Sequence, residues 1–519
     1  MKHRIYLMMA VFAVLMTVWG CDDDSTSDNT NNTVNNTTSN NTTVNNNTST
    51  NNNTSSNNTT NNNTSTNNNT NTNNNTGIDF ETVIEVGPSL EYETPCDVPW
   101  ESLTPSTLIN IHYREEPYRC KFVVATAGTS EQPVVVRGIP SDSNELPVIS
   151  GDNAITRLEL DYWNEPRSVV KIGGVSHSSD FPSYITIENL VITSARPGYT
   201  FTDDSGNAGE YVENAAAVHI EEGEHITIRN CVLTNSGNGL FSTSSTSSVL
   251  VEGNYIHGNG IENSIYEHNN YTESKGITFQ YNHFGPLREN CPGNNLKDRS
   301  SGTVIRFNWI EAGNRTVDAV DSDHEELLND PDYSETYIYG NVLIKHDVEE
   351  NGQVIHYGGD SGDYTRYRKG TLWFFNNTVY SMRSGNTTLL GISTNDESSM
   401  CFNNIVYAVS GGTTLAVTGG EGIVTLSNNW LNENWREVHG TNNGTITASD
   451  NITGDNPGFT DEGSMNFLPV SDSPVLNAGM ALPSELLSLH SLAYQYVVHQ
   501  QHEVRPQSGN IDCGAFERQ

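Results

Sequence analysis

The chain has 519 residues and a formal net charge of −38, from 25 basic and 63 acidic side chains. A chain this acidic is a poor ligand for nucleic acid, because its own charge repels the phosphates. The length suits either one large repeat structure or roughly two to four ordinary domains, so periodicity must decide between them.

Residues 1–20 have the pattern of a secretory signal peptide. Basic residues at 2–4 precede the apolar run Ile5–Val18, which is too short for an ordinary membrane-spanning helix. The next segment, VWGC at 18–21, resembles a bacterial lipobox, which implies a lipid on Cys21 as the mature N-terminus. We therefore expect an extracytoplasmic protein that is lipid-anchored to the bacterial cell envelope, on the outer surface or in the periplasm. A plain secretory signal is the alternative and would give a secreted protein.

Residues 21–77 are almost entirely Asn, Thr and Ser. Such a segment has too few apolar side chains to offset the entropy lost on ordering, so it is predicted to be disordered. As a random coil it would extend over roughly 40 Å and act as a tether.

Of the seven cysteines, six follow Cys21. An extracytoplasmic compartment permits disulfides. Cys96 and Cys120 are the most plausible pair, because both lie early in the folded region. Cys231 and Cys401 lie within strand-like runs and are expected to be buried small hydrophobic residues. The remaining connectivity stays open.

From about residue 184 one strand pattern recurs: alternating apolar residues, then Asn, any residue and another apolar one. The repeat asparagines are Asn189, Asn230, Asn254, Asn282, Asn308, Asn341, Asn377, Asn404 and Asn429. The shorter gaps between them lie in the mid-twenties, which fits one coil of a stacked repeat. Asn suits a tight bend because it tolerates the left-handed backbone region, and stacked Asn amides can bond to one another.

The pattern predicts an all-β, right-handed parallel β-helix of about ten or more coils. We divide it into an N-terminal cap with the first coils (78–183), central coils with the candidate site (184–435), and C-terminal coils with a closing segment (436–519). Helical periodicity is confined to a short stretch near 483–494. A propeller or a sandwich fits the spacing less well.

Several segments resemble the bacterial right-handed parallel β-helix proteins, many of which act on polysaccharides. Residues 456–479 are similar to the closing segment of that family, IDCGAFE at 511–517 to its terminal motif, and residues 126–140 to its entry coil. The resemblance covers roughly residues 80–519 and implies the fold. Lyases, hydrolases, epimerases and non-catalytic surface proteins all share it, so activity must be argued from a site.

The spacing also predicts which polar side chains lie on one face. Counted back from Asn282 and Asn308, Tyr271 and Lys297 are equivalent, so they are expected on adjacent coils about 4.8 Å apart. The neighbouring inserts complete a predicted stripe with His268, Arg299, Asp318, Asp321 and His356.

The segments HNNY, LKDRSS, VDAVD and VIHYG together resemble a subset of β-helix proteins that are like polysaccharide lyases. In that subset a Lys-Ser-Arg-like segment is usual, and Asp298 departs from it. The resemblance implies β-elimination on an acidic polysaccharide that contains uronic acid, carried out by a protein expected to be a monomer.

Elimination removes the proton at C5 of a uronic acid, which becomes acidic enough only when a cation neutralises the adjacent carboxylate. A base then takes the proton, and an acid protonates the leaving oxygen. Lys297, activated by Arg299, or His268 could be the base, and Tyr271 could be the acid. The catalytic assignment comprises Lys297, Arg299, His268, Tyr271 and His356.

Ca²⁺ is the one cofactor that we expect, with Asp318 and Asp321 as candidate ligands. The long inserts at 321–335 and 359–370 are expected to form walls of a groove. The side chains assigned to substrate binding are Arg306, Arg315, Tyr364 and Tyr367.

Two other functions stay open. A glycoside hydrolase would use Asp318 with Asp321, or Asp321 with Asp323, as its acid and base. A non-catalytic surface protein would use the β-helix as a rigid glycan-binding spine. In that case Lys297 and Arg299 would only pair with carboxylates on a solvated face.

Overall fold

The computed structural model describes residues 78–176, 178, 180–348, 351–507 and 509–519. The signal peptide, the lipid attachment at Cys21 and the tether lie outside these residues and stay predictions. Among the described residues, no helix has both the length and the apolar character needed to cross a bilayer.

Three long sheets run side by side through this part of the chain, which forms a right-handed parallel β-helix. The first sheet has 13 strands: Thr82–Val86, Thr107–His112, Val134–Ile139, Ser183–Glu188, Gly223–Arg229, Thr246–Glu252, Lys275–Gln280, Ser301–Arg306, Glu335–Tyr339, Thr371–Phe375, Ser398–Phe402, Ile423–Ser427 and Thr445–Ser449.

The second sheet, which carries the candidate site, also has 13 strands. In spatial order they are Ala208–Glu210, Thr200–Thr202, Ala154–Thr156, Cys120–Val124, Ser168–Ile172, Ala216–Ile220, Asn238–Ser242, Asn270–Thr272, Leu296–Asp298, Val317–Ala319, Gln353–Tyr357, Thr387–Ile392 and Leu415–Thr418.

The third sheet has 11 strands: Val148–Ser150, Val191–Thr193, Val232–Thr234, Tyr255–His257, His283–Phe284, Trp309–Glu311, Val342–Lys345, Thr378–Ser381, Ile405–Ala408, Trp430–Asn432 and Ile452–Gly454. Two antiparallel hairpins follow: Phe459–Asp461 with Asn466–Pro469, and Tyr494–Val497 with Gln501–Val504. The described helices are short: α-helices Glu325–Leu328 and Ser484–Leu489, and 3₁₀ helices Pro95–Asp97, Trp100–Ser102, Glu165–Arg167, Pro331–Ser334 and Gly412–Thr414.

The core is a continuous column inside the coils. In the first sheet Phe279, Ile305, Ile338 and Phe374 are partners in parallel register, and all four are fully buried. Because side chains alternate between the two faces of a strand, every second side chain packs into this column and the others face outward. Stacking coil on coil therefore converts the sequence period into one apolar interior.

The turn from the first to the third sheet has two residues, and they use Asn for different reasons. The first residue has a positive φ, as at Asn428 (53°). The second, such as Asn429, is fully buried, and its Oδ1 accepts from both the N–H and the Nδ2 of Asn404 on the preceding coil, each at 2.9 Å. This ladder runs through Asn254, Asn282, Asn308, Asn341, Asn377, Asn404, Asn429 and Asn451.

The ladder corrects the register predicted for the first two repeats. Asn189 and Asn230 have positive φ values of 58° and 52°, so they take the first turn position rather than the ladder position. On that coil Cys231 donates its backbone N–H to Asn254 Oδ1 and takes the place of a ladder Asn. The error arose because Asn satisfies both turn positions, so the sequence pattern alone does not separate them.

The N-terminal cap contains the predicted disulfide between Cys96 and Cys120, whose Cα atoms are 5.5 Å apart. Cys231 and Cys401 are buried free thiols, as predicted. The chain end packs back along the outside of the solenoid as a C-terminal arm (456–507 and 509–519). Its Phe467 ring, for example, lies 5.6 Å from the ring of the buried Trp309.

Candidate functional site

The predicted stripe forms on the outward face of the second sheet. Tyr271 pairs in register with Lys297, Lys297 with Asp318, and Asp318 with His356. Adjacent residues on these strands, such as Leu296, belong to the apolar core, so the stripe residues face away from it. Four consecutive coils thus bring a phenol, an amine, a carboxylate and an imidazole into one row.

Strand alternation also explains why Asp298 stands between the two cations. Its carboxylate points inward, is fully buried, and accepts from the hydroxyls of Thr272, Ser300 and Thr303 at 2.8, 2.7 and 2.6 Å. The Asp298 carboxylate therefore fixes the turn after the strand and lies on the opposite side of the strand from the Lys297 amine.

Lys297 and Arg299 are bridged by one carboxylate. Lys297 Nζ lies 2.5 Å from Asp360 Oδ2, and Arg299 Nη2 donates to Asp360 Oδ1 at 2.8 Å. Lys297 also donates to Asp318 Oδ2 at 2.8 Å. The two cations are therefore close enough to bind a single carboxylate group together, with one oxygen on each.

Asp318 is the buried anchor of the site. It is 0 % exposed, and His356 and Asn294 bond to its two oxygens, each at 2.6 Å, in addition to Lys297. Burial alone would raise the pKa of this carboxyl, but the Lys297 charge and the His356 hydrogen bond hold it well below its ordinary value. Asp318 therefore stays negatively charged and positions Lys297 on one side and His356 on the other.

Asp321 fixes a loop rather than facing a ligand. Its Oδ1 accepts the backbone N–H of Asp360 at 2.7 Å and of Ser361 at 3.3 Å, and its Oδ2 accepts the Ser361 hydroxyl. The carboxylate is fully buried. Asp323, its alternative partner, is exposed and pairs with Arg366 at 2.8 Å.

These contacts do not fit Ca²⁺. A calcium site needs several free oxygen ligands, whereas every carboxylate oxygen of Asp318 and Asp321 already accepts from an internal donor. Within the described ranges, no group of three or more His, Cys, Asp or Glu side chains has a geometry suited to a metal. The same saturation leaves neither carboxylate free for the acid and base roles of a hydrolase.

His268 is a structural residue of a second ladder. Asn238 Oδ1 accepts the N–H of His268 at 2.9 Å, and His268 Nδ1 accepts the N–H of Asn294 at 2.9 Å. The ring is buried, and burial together with the positive charge of Lys297 lowers its pKa to about 3. Since Nδ1 accepts a hydrogen bond, the neutral ring carries its proton on Nε2. This tautomer does not provide the base that the sequence suggested.

His356 is oriented from both sides. Its Nδ1 lies 2.6 Å from Asp318 Oδ1, and its Nε2 lies 3.1 Å from Ser393 Oγ. Nδ1–H donates to the Asp318 carboxylate, and Nε2 forms a hydrogen bond with the Ser393 hydroxyl. With both nitrogens engaged, the ring supports Asp318 and the chain around Gly359, whose N–H donates to the same Ser393 oxygen at 3.0 Å.

Tyr271 is the half-buried side chain at the open end of the site. Arg299 Nε donates to its phenol oxygen at 3.0 Å. Its ring meets the Phe241 ring of the preceding coil edge-on at 5.3 Å. The phenol thus keeps its own O–H to donate, next to the cation pair.

The four predicted substrate-binding residues lie in different surroundings. Arg315 belongs to the site, with Nη1 3.5 Å from Asp318 Oδ1 and Nε donating to Gln353 at 3.0 Å. Tyr364 is 64 % exposed on the insert 359–370, whereas Tyr367 is buried. Arg306 does not lie near the site, which is on the second sheet: it lies on the first sheet and donates to Gln280 at 2.8 Å.

Sequence reasoning missed Asp360, the carboxylate that joins both cations. It lies four residues beyond His356, at the start of an insert that was predicted only as a groove wall. An acidic residue placed so soon after a stripe strand is the signal that could have identified it. Asn294 was missed as well, because its role depends on the ladder.

Comparisons with known proteins give a likeness of fold. No family model matches the chain, and no curated protein matches it. An alginate lyase from Paenibacillus sp. str. FPU-7 is 10 % identical, with 72 % of this chain and 99 % of that one covered and a TM-score of 0.43. Pectate lyase Pel9A is 12 % identical, with 86 % and 98 % covered and a TM-score of 0.44. A GH136 lacto-N-biosidase from Eubacterium ramulus is 11 % identical, with 72 % and 68 % covered and a TM-score of 0.41.

Proposed function

We propose that this protein is an extracytoplasmic polysaccharide lyase that cleaves a uronic-acid-containing polymer by β-elimination. The observation that carries the proposal is the pair Lys297 and Arg299, which binds one carboxylate jointly beside the free O–H of Tyr271. This is the set of groups that elimination next to a sugar carboxylate requires: cations for the carboxylate, an amine and a proton donor.

In the proposed reaction Arg299 binds the carboxylate at C5 and stabilises the negative charge that develops on it. Lys297, once its ammonium group has passed a proton to solvent, takes the C5 proton. The C5–H electrons form the C4=C5 double bond, the C4–O bond breaks, and Tyr271 donates its proton to the leaving oxygen. Asp318 positions Lys297 throughout, and no step uses a metal.

The first experiment measures absorbance near 235 nm, where the new double bond absorbs, with the full chain and a panel of alginate, pectate, chondroitin, heparin and hyaluronan. We expect one polymer to give a rise. Lys297→Ala should lower the rate by about 100-fold or more, since it removes the base.

Lys275→Ala is the matched control, because Lys275 is 63 % exposed, pairs with Asp330 on the first sheet and does not belong to the site. A rise that survives Lys297→Ala would refute the assigned base. Release of reducing ends without a rise at 235 nm would favour a hydrolase, and binding without either product would favour a non-catalytic surface protein.

A further inference from the structure

The loop that carries Asp360 is fixed at both ends and exposed between them. At its start, Gly359 donates its N–H to Ser393 Oγ at 3.0 Å. At its end, the buried Arg368 donates from Nε to the Val320 carbonyl at 3.0 Å. Between these anchors Gly362 has a φ of 83°, and a Cβ there would meet no atom within 4 Å. The middle of the loop therefore has room to move while its ends stay in place.

Asp321 holds this loop closed from below, as described above, through the backbone of Asp360 and Ser361 and the Ser361 hydroxyl. The Asp360 side chain makes its ion pairs only to Lys297 and Arg299 among the described residues. We call the three hydrogen bonds from Asp360 and Ser361 to the Asp321 carboxylate the Asp321 latch. The latch and the two ion pairs together place the Asp360 carboxylate in the site.

The two carboxylates that contact Lys297 differ in how accessible they are. Asp318 is 0 % exposed and is fixed by four donors, whereas the Asp360 side chain is 26 % exposed and sits on the movable loop. An incoming carboxylate can exchange with Asp360 without changing the number of charges in the site. A neutral sugar in the same place would remove the one carboxylate that Lys297 and Arg299 share and would put no negative charge in its place, which is costly for buried cations.

We propose that Asp360 occupies, in the free protein, the position that the carboxylate of a uronate unit takes on binding, and that the polymer displaces Asp360 and opens the loop. The inference rests on the proposed function and deepens it, because it makes Asp360 the residue that selects carboxylate-bearing sugars. A ligand must replace both contacts of Asp360 to open the loop, so units without a carboxylate are rejected.

The test measures binding by calorimetry, with trigalacturonate and trimannuronate as probes and maltotriose as the neutral comparison. Asp360→Asn keeps the shape of the side chain but removes the competing charge. We expect it to bind at least one acidic trisaccharide about fivefold or more tightly than wild type, since the ligand no longer has to displace a charged Asp360 side chain from Lys297 and Arg299. Maltotriose should bind no better.

Ser361→Ala is the second variant, because it removes one contact of the Asp321 latch and leaves both charges of the bridge in place. It should tighten acidic binding by a smaller factor and make the chain more readily cut by trypsin after Arg366. Asp461→Asn is the control, since Asp461 is exposed on the C-terminal hairpin, bonds to Ser464 there and does not contact the loop. It should leave both readouts unchanged.

Unchanged or weaker acidic binding by Asp360→Asn, with a folded protein by circular dichroism, would overturn the inference. Loss of turnover without tighter binding would also overturn it, by making Asp360 a catalytic group. Because calorimetry reports binding whether or not product forms, tighter acidic binding in a protein that gives no 235 nm product would uphold the role of Asp360 and refute the lyase.

Discussion

The two adjacent asparagines of one turn, Asn428 and Asn429, stabilise it in different ways. Asn428 relieves backbone strain, because its φ of 53° is poorly tolerated by most side chains. Asn429 satisfies buried polar groups: it accepts from Asn404 and donates to the carbonyls of Cys401 and Ser427 at 3.0 Å. One residue type thus solves two problems, and only the contacts show which problem applies at a given position.

Replacing these two residues should separate the two roles. Asn429→Ala leaves the buried N–H of Asn404 without an acceptor, so we expect a loss of about 3 kcal/mol in the free energy of unfolding. Asn428→Gly keeps the left-handed backbone and should change it by less than about 0.5 kcal/mol. Urea unfolding followed by circular dichroism measures both, and equal losses would show that the ladder contributes no specific stability.

His268 illustrates the same ambiguity in the candidate site. A histidine three residues before Tyr271 suggested a base, yet its Nδ1 accepts a backbone N–H just as the Oδ1 of a ladder Asn does. The sequence HNN contains donors and acceptors of the right kind for either role. The hydrogen bond from Asn294 decides between them, because it occupies the lone pair of Nδ1 and leaves the ring proton on Nε2.

At the scale of elements, a three-residue strand organises the site. Leu296–Asp298 places Leu296 in the core, Lys297 outward and Asp298 inward, so one alternating triplet supplies packing, chemistry and a turn anchor. The parallel register then aligns Lys297 with residues from strands that are far apart in sequence. The insert 359–370 adds Asp360 from above.

The C-terminal arm is a second element whose attachment depends on histidines. His490, just after the helix Ser484–Leu489, stacks on Tyr337 with ring centroids 3.7 Å apart. Burial, with a smaller effect of the nearby Arg306 charge, lowers the pKa of the His490 imidazole to about 4. The imidazole is therefore neutral in the folded arm at pH values where it would be protonated in the unfolded one.

This shift predicts that the arm loosens in mild acid. The folded pKa of about 4 lies below the ordinary value of 6.5, so the His490 contribution is fully present above pH 6.5 and is lost as the pH falls from 6.5 to 4. The arm should lose at most about 1.4 kcal/mol per pH unit in that window. Hydrogen exchange of residues 484–504 at pH 7 and pH 5 measures it.

His490→Phe keeps the ring stack but does not titrate, and it should flatten this pH dependence. His499 and His502 also have pKa values lowered by burial, so some dependence remains. Identical pH slopes for wild type and His490→Phe would contradict the assignment.

At the scale of the whole molecule, charge and location set the context for the site. The net charge of −38 repels an acidic polymer at long range, so binding must depend on the local cations Lys297, Arg299 and Arg315. We propose that a lipid at Cys21 and the segment 21–77 hold the solenoid at the cell envelope and so raise its concentration near a surface polysaccharide.

Replacement of the proposed lipidated residue tests this location. Cys21→Ser should move the protein from the membrane pellet to the soluble fraction, because the acyl chains supply the apolar area that holds it there. Ultracentrifugation of expressing cells with immunoblotting measures the partition. Cys291→Ser, at a buried free thiol, is the control and should leave the partition unchanged. Retention of Cys21→Ser in the pellet would contradict the lipid anchor.

The sequence by itself determined the parallel β-helix, the first disulfide and the adjacency of Tyr271, Lys297, Asp318 and His356. The fold and the adjacency follow from periodicity, because a recurring strand pattern places equivalent residues on neighbouring coils even where inserts lengthen a repeat. The disulfide was expected because both cysteines lie early in the folded region. Arg306 was assigned to substrate binding without such a count, and it lies on the first sheet in register with Gln280, away from the stripe.

Only the tertiary structure decided which side chains the site leaves free. Asp318 and Asp321 suggested metal or acid–base chemistry, but their oxygens are saturated by donors from Asn294, Ser361 and the backbone. Asp360 gained its role because an insert folds over the stripe. Hydrogen-bond saturation and burial are properties of the packed surroundings, so no local pattern encodes them, whereas the fold is encoded in the repeat that every coil shares.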